Sequence, residues 1–199
     1  KAALVAAIAA GRVQPFKVFM GKIAAALDQE LVDWIGRQKM FFTASAPLSE
    51  NGHINLSPKG GDTLRVLSPN VVIYQDFTGS GIETVAHIRE NGRLVIMFCA
   101  FEGAPQIVRL YGPGEVGTPQ HKDCSALAQR LPQKAGVRSY IRLKVDRVTS
   151  SCGFGVPFYA YVGERDLLDK WCVQKGPEGL EDYRQLKNRQ SIDGLPGWE

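Results

Sequence analysis

Short apolar runs separated by turn signals leave this chain few folds open. MFFTASA (Met40–Ala46) is rich in β-forming residues and ends in PLSENGH, whose Asn51-Gly52 pair marks a hairpin, after which HINLS alternates as a returning strand. Leu64–Leu67 and Val71–Tyr74 flank Ser68-Pro69-Asn70, a turn sequence, and so form a second hairpin. RLVIMFCAF is a continuous apolar run suited to a strand buried on both faces, and QIVRLYGPGEV follows across the Glu102-Gly103-Ala104-Pro105 turn. SYIRLKVDRVTS alternates as the last long strand. Strands joined by hairpins are antiparallel, and closing the sheet removes its exposed edges. The pattern predicts a mainly β (α+β) chain with an antiparallel barrel, closed or split, of about six strands.

Helical patterns flank this sheet. DQELVDWIGRQ sets Leu31, Trp34 and Ile35 at helical spacing behind an Asp28 cap, and a short helix is predicted over Gly81 to Asn91. A surface helix is expected from Pro119 to Arg130. ERDLLDKWCVQKG places Leu167, Leu168, Trp171 and Cys172 on one side and should stop at Gly176-Pro177; the remaining tail is polar. The expected organisation is an N-terminal extension over residues 1–19, a barrel domain over 20–165 and a C-terminal helical appendage over 166–199. The Ala-rich start reads either as a signal remnant or as an extension ahead of Met20, and the extension is preferred.

Composition narrows the functional classes. With 24 Lys and Arg against 20 Asp and Glu, the net charge of +4 suits an anionic small molecule better than nucleic acid. The first apolar run is too short for a bilayer, so no membrane span is expected. Cys99, Cys124, Cys152 and Cys172 are widely spaced and read as free thiols of a reducing, cytoplasmic compartment. His53, His87 and His121 are equally scattered, and no metal site is expected. Cys152 has no neighbouring cation to activate it and is not read as a nucleophile.

The stretch DFTGSGIETVAHIRENGR, Asp76 to Arg93, admits two readings. A helix N-terminus presents free N–H groups and a partial positive charge, glycines allow a phosphate to approach, and Ser80 and Thr84 add hydroxyls. Alternatively, Ser80 caps the helix while Gly79 and Gly81 serve a turn. Glu83 and His87, four apart, invite an acid–base pair but read more simply as a surface contact or a capping group. Arg109, mid-strand in QIVRLYG, needs a partner, with Glu102 or Glu115 as the expected carboxylate and a ligand anion as the less favoured one.

Taken in order, MFFTASAPLSENGHINLSPKG, DFTGSGIETVAHIRENGRLVIMF, FEGAPQIVRLYGPGEV and SCGFGVPFY resemble the pyridoxamine 5'-phosphate oxidase-like family of flavin-binding split barrels, over roughly residues 28 to 165. The resemblance is to an uncharacterised bacterial and fungal branch whose tail is similar to NRQSIDGLPG. It implies flavin mononucleotide (FMN) as cofactor, with a deazaflavin or haem as less favoured occupants, and a homodimer with the cofactor cleft at its interface. It further implies a flavin-dependent oxidoreductase of unassigned substrate, or a non-enzymatic module that has lost tight flavin binding. The implied cofactor-binding residues are Asn55, Ser57 and Lys59 on one strand with Gly79, Ser80, Gly81 and Thr84 at the helix start; no catalytic residue is assigned. The family's Ser-Arg-Lys segment falls opposite Ile82, Glu83 and Thr84, so its two cations are missing, and Lys59 is the substitute, with Arg65 a weaker one. Lys59 can equally be read as a solvated loop lysine. SCGFGVPFY is expected either to wall the flavin ring or to end a strand in a bulge packed by Phe154 and Phe158.

Overall fold

The computed structural model describes residues 21–119 and 129–198. In chain order the elements are β1 (Ile23–Ala24), α1 (Gln29–Arg37), β2 (Met40–Ser45), β3 (Asn55–Gly60), β4 (Leu64–Ser68), β5 (Val71–Phe77), α2 (Glu83–Asn91), β6 (Arg93–Cys99), β7 (Ile107–Gly117), β8 (Val137–Lys144), β9 (Arg147–Ser151) and α3 (Leu167–Lys187). All strand pairs are antiparallel, in the order β3-β2-β6-β7-β8-β5-β4, with β9 on β7 and β1 on β9. The chain is a split antiparallel β-barrel whose edges β3 and β4 meet at the Gly60–Thr63 turn.

The sheet holds 9 strands, more than the six or so that the apolar runs suggest. One reason is that the expected last strand is two. The chain breaks at Val145 and Asp146, whose amides donate to Asn70 and Tyr111 carbonyls at 2.7 and 3.0 Å, and β9 then turns onto the first half of β7. β7 itself serves both halves of the barrel, pairing with β6 through Pro113 and with β8 from Gly114 onward. Gly112 makes this corner possible: its φ is 153°, and a Cβ there would overlap the Lys144 carbonyl.

Side chains from alternate positions fill the barrel. Phe41, Val72, Tyr74, Leu94, Ile96, Phe98, Val108, Leu110, Ile141 and Leu143 form one buried cluster, with Leu31, Val32 and Trp34 of α1 packed against it. The α1 helix starts where the sequence places it, since the Asp28 carboxylate accepts from the Leu31 N–H at 2.9 Å. The α2 helix begins at Glu83, and its buried face, Val85, Ala86 and Ile88, packs on the sheet; Gly92 ends it in the left-handed conformation. Residues 120–128 of the expected surface helix, and the extension over 1–19, lie outside the described residues.

The C-terminal region departs from expectation. Gly176 is non-helical (φ 67°, ψ 173°), yet helix resumes at once and runs to Lys187, because Pro177 falls where a first-turn residue needs no N–H donor. The tail after it folds back on the barrel. Trp198 N–H donates to the Asn188 carbonyl at 2.6 Å, Gly197 N–H to the Arg189 carbonyl at 2.8 Å, and the Asp193 carboxylate accepts from the His53 amide at 2.8 Å. No helix among the described residues is long and apolar enough to cross a membrane.

Candidate functional site

A cleft of about 1170 Å³ lies between the end of α1, the β3–β4 turn, the end of β5 and the segment 159–165 that leads into α3. Trp34, Phe77, Phe101, Tyr159 and Tyr161 give it aromatic walls. The Tyr159 ring packs against Phe101 with centroids 5.6 Å apart, and Lys39 Nζ lies 5.5 Å from the Tyr161 centroid. Tyr161 donates its hydroxyl to Glu164 at 2.7 Å, and that bond raises the phenol pKa because the neutral form is the donor. Phe154 and Phe158 do not pack as a strand-ending bulge would require; both are exposed, and Tyr159 and Tyr161 are the aromatic residues of this region that reach the cleft.

Beneath the β5 end of the cleft runs a buried polar network. Asp76, 1% exposed, accepts from Arg138 Nε at 2.7 Å and from Ser139 Oγ at 3.0 Å, while Lys59 Nζ stands 3.7 Å away. Arg138 reaches inward because the β5–β8 ladder pairs Asp76 with Ser139 and Phe77 with Val137, leaving Arg138 as the extra residue of a bulge. Its Nη1 donates to Asn188 Oδ1 at 2.7 Å; Asn188 Nδ2 in turn donates to the Gly79 carbonyl at 2.8 Å. Arg184 Nε donates to Thr78 Oγ1 at 2.9 Å, and its guanidinium lies over the Trp198 ring at 5.1 Å. Gln75 is also on the cleft wall. Its Nε2 donates to the Pro132 carbonyl at 2.6 Å, which fixes the amide orientation, and its Oε1 is buried without a partner.

The sequence-predicted residues divide here. Lys59 and Gly79 line the cleft, with Lys59 anchored by Asp76 and not solvated as a loop lysine would be. Asn55 and Ser57 share the Lys59 face of β3, both half-buried, but neither lines the cleft. Asn55 Nδ2 donates instead to Thr84 Oγ1 at 2.8 Å, beside a contact of 3.0 Å between Ser45 Oγ and His87 Nδ1. Thr84 therefore ties α2 to β3. Ser80 is exposed and is not the helix cap: Ile82 holds that position, with no side-chain hydrogen bond. Gly81 faces the Glu83 carboxylate, which fills the space a Cβ would need.

Other pairings differ as well. Glu83 accepts from the Ile192 amide at 3.3 Å while His87 is fully buried, so the two form neither an acid–base pair nor a surface contact. Arg109 donates to Ser151 Oγ at 3.3 Å; Glu115 is held by Arg142 and Lys144, and Glu102 by the Tyr161 amide. Arg65 is committed to Asp62 at 2.7 Å. Asp76, Arg138, Thr78, Arg184 and Asn188 escaped the sequence reading. The one signal for them was polar pairs, Gln75-Asp76 and Arg138-Ser139, inside otherwise apolar strands. Among the described residues no cluster of His, Cys, Asp and Glu could hold a metal ion.

No family model matches the chain. It is 39% identical over 188 residues to the pyridoxamine 5'-phosphate oxidase family protein ustO of Aspergillus flavus, covering 86% of this chain and 75% of that one. A crystal structure from Lactobacillus delbrueckii described as a candidate pyridoxamine 5'-phosphate oxidase superposes with a TM-score of 0.50 at 15% identity, covering 65% of this chain and 98% of that one. An FAD binding protein of Mycobacterium smegmatis gives a TM-score of 0.45 at 13% identity, over 64% and 96% of the two chains.

Proposed function

Because the chain belongs to the pyridoxamine 5'-phosphate oxidase family, we propose that its cleft binds a flavin, FMN in the first place, and that it is a flavin-dependent oxidoreductase. The observation that carries this reading is the charge balance at Lys59. Asp76 is already matched by Arg138, so the Lys59 ammonium leaves one positive charge of the trio uncompensated beside the cleft. The other residues fit such a group. Aromatic side chains suit a planar ring, the volume admits it together with a second molecule, and the orphaned Gln75 Oε1 would accept from a ring N–H. A bound flavin would supply the hydride acceptor, and the chain would supply position and charge.

Two further expectations belong to this reading. The exposed apolar run at Phe154, Phe158, Tyr159 and Val162 supports a homodimer that walls the cleft from a second copy. Cys99, Cys152 and Cys172 are free thiols, in keeping with a cytoplasmic location.

A second reading, a dimeric ligand-binding or interaction module without tight flavin binding, rests on the start of α2. Glu83 covers Gly81, and the tail packs on Ile82 through Gly197, so the chain itself occupies the helix tip where a phosphate would be expected. Fluorescence titration of FMN and riboflavin separates the two readings. Wild type should prefer FMN, and Lys59→Ala should weaken FMN binding by about 1.5–3 kcal/mol, roughly ten- to a hundredfold, with riboflavin unaffected. If wild type binds FMN no better than riboflavin, the second reading takes the lead.

A further inference from the structure

We infer that the C-terminal segment is part of the ligand site, with Asn188 and Arg184 acting as positioning residues that fix the Thr78–Gly79 lip of the cleft. This rests on the flavin reading above and adds to it which residues give the site its preference for a phosphate. Thr78 and Gly79 both line the cleft, and each is held from the far end of α3: Arg184 Nε to Thr78 Oγ1 at 2.9 Å, Asn188 Nδ2 to the Gly79 carbonyl at 2.8 Å.

The geometry makes Asn188 a two-sided joint. Fully buried, it accepts from Arg138 through Oδ1 while it donates to Gly79 through Nδ2, so one amide links the buried Asp76–Arg138 pair to the lip. Its own backbone is pinned in turn, the carbonyl by Trp198 N–H at 2.6 Å and the amide by the Arg184 carbonyl at 2.7 Å. Arg184 is held equally firmly. It stacks on Trp198, whose indole N–H is bonded to Glu181 at 3.0 Å, while the Glu181 carboxylate lies 3.4 Å from Arg184. The bond to Asn188 orients the Gly79 peptide, and the bond to Arg184 sets the direction of the Thr78 hydroxyl. Thr78 is itself fully buried, so the tail fixes the lip from within and leaves the half-buried Gly79 peptide as the part of it that an anion in the cleft shared with Lys59 would meet.

The test compares FMN with riboflavin on the full chain bearing Asn188→Ala or Arg184→Lys. Each variant should lose about tenfold of the FMN-over-riboflavin preference with riboflavin affinity little changed, because the ring contacts lie elsewhere in the cleft. An unaltered preference in folded variants would overturn the inference, and Arg184→Lys, which keeps the charge, serves if Asn188→Ala fails to fold. Hydrogen exchange without ligand provides a reading independent of flavin. Amides of 76–81 should exchange faster in the variants while β6 and β7 do not; equal exchange there would overturn the inference even if FMN binds. If wild type binds no flavin but this local exchange difference is found, the positioning role stands and the flavin reading fails.

Discussion

Tyr74 carries a hydroxyl into the middle of the barrel, where it is fully buried. The oxygen lies toward Thr43, yet neither hydroxyl has a hydrogen bond of good geometry. Burial first, and then the nearby Asp76 carboxylate, push the phenol pKa well above its ordinary value. In the unfolded chain the same group releases its proton near pH ~10. Above that point the unfolded state binds fewer protons than the folded one, so stability falls as pH rises; below it, the contribution is fully present. Tyr74→Phe should therefore leave stability at neutral pH within about 1 kcal/mol of wild type, since no well-made bond is lost. It should also lose less stability than wild type between about pH 8 and about pH 11. Urea titrations at both ends of that range check this, and parallel losses in the two proteins would show that the phenol is not responsible.

At the scale of elements, the strands were legible because burial on one face imposes alternation, and the turns because Asn51-Gly52 and Pro69-Asn70 have few other uses. What stayed hidden depends on register. Arg138 enters the core only because a bulge shifts β8 by one residue, and no periodicity announces which residue of VRSYIRLK will be the extra one. Lys59 was recognisable from its place on β3, but its partner Asp76 comes from a strand on the other side of the barrel seam. The tail looked like a polar appendage because polar contacts tie it to the barrel, Asn188 to Arg138 and the Gly79 carbonyl and Asp193 to the His53 amide, and these leave no apolar pattern. Gly197 shows how tightly it is fitted: a Cβ there would overlap the Asn188 carbonyl and stand 2.8 Å from both Ile82 Cγ atoms. Gly197→Ala should destabilise the protein by about 1–3 kcal/mol through overpacking against a backbone that has no room to move. Gly179→Ala is the control, since its Cβ would meet only the Lys175 side chain at 3.5 Å within α3 and should be neutral or slightly stabilising. Denaturant midpoints of the two variants measure the contrast, and equal midpoints would mean that the tail docks loosely.

For the whole molecule, the question is what covers the segment between β9 and α3. Phe154, Phe158, Tyr159 and Val162 are 68%, 61%, 63% and 98% exposed, and Leu56 on the outer face of β3 and Ile54 just before that strand are 63% and 78% exposed. A monomer seldom leaves apolar groups so concentrated in water. The same segment forms one wall of the cleft, and among the described residues its backbone is tied to the barrel by Tyr159 N–H to the Phe101 carbonyl at 3.1 Å and Tyr161 N–H to Glu102 at 3.2 Å. A wall so lightly held does not shape a ligand site well unless something presses on it. A second copy related by a two-fold axis would bury these rings and stiffen the cleft in one step, with an interface on the order of 1,600 Å² in total. The protein is therefore expected to sediment as a dimer at micromolar concentration. Phe154→Asp with Phe158→Asp should yield folded monomers, because both side chains lie outside the core, and those monomers should bind FMN more weakly although neither residue lines the cleft and Lys59, Asp76 and Asn188 are untouched. Sedimentation equilibrium paired with the flavin titration decides it: a monomeric wild type, or a monomeric variant with undiminished FMN affinity, would show that one chain holds its cleft wall unaided.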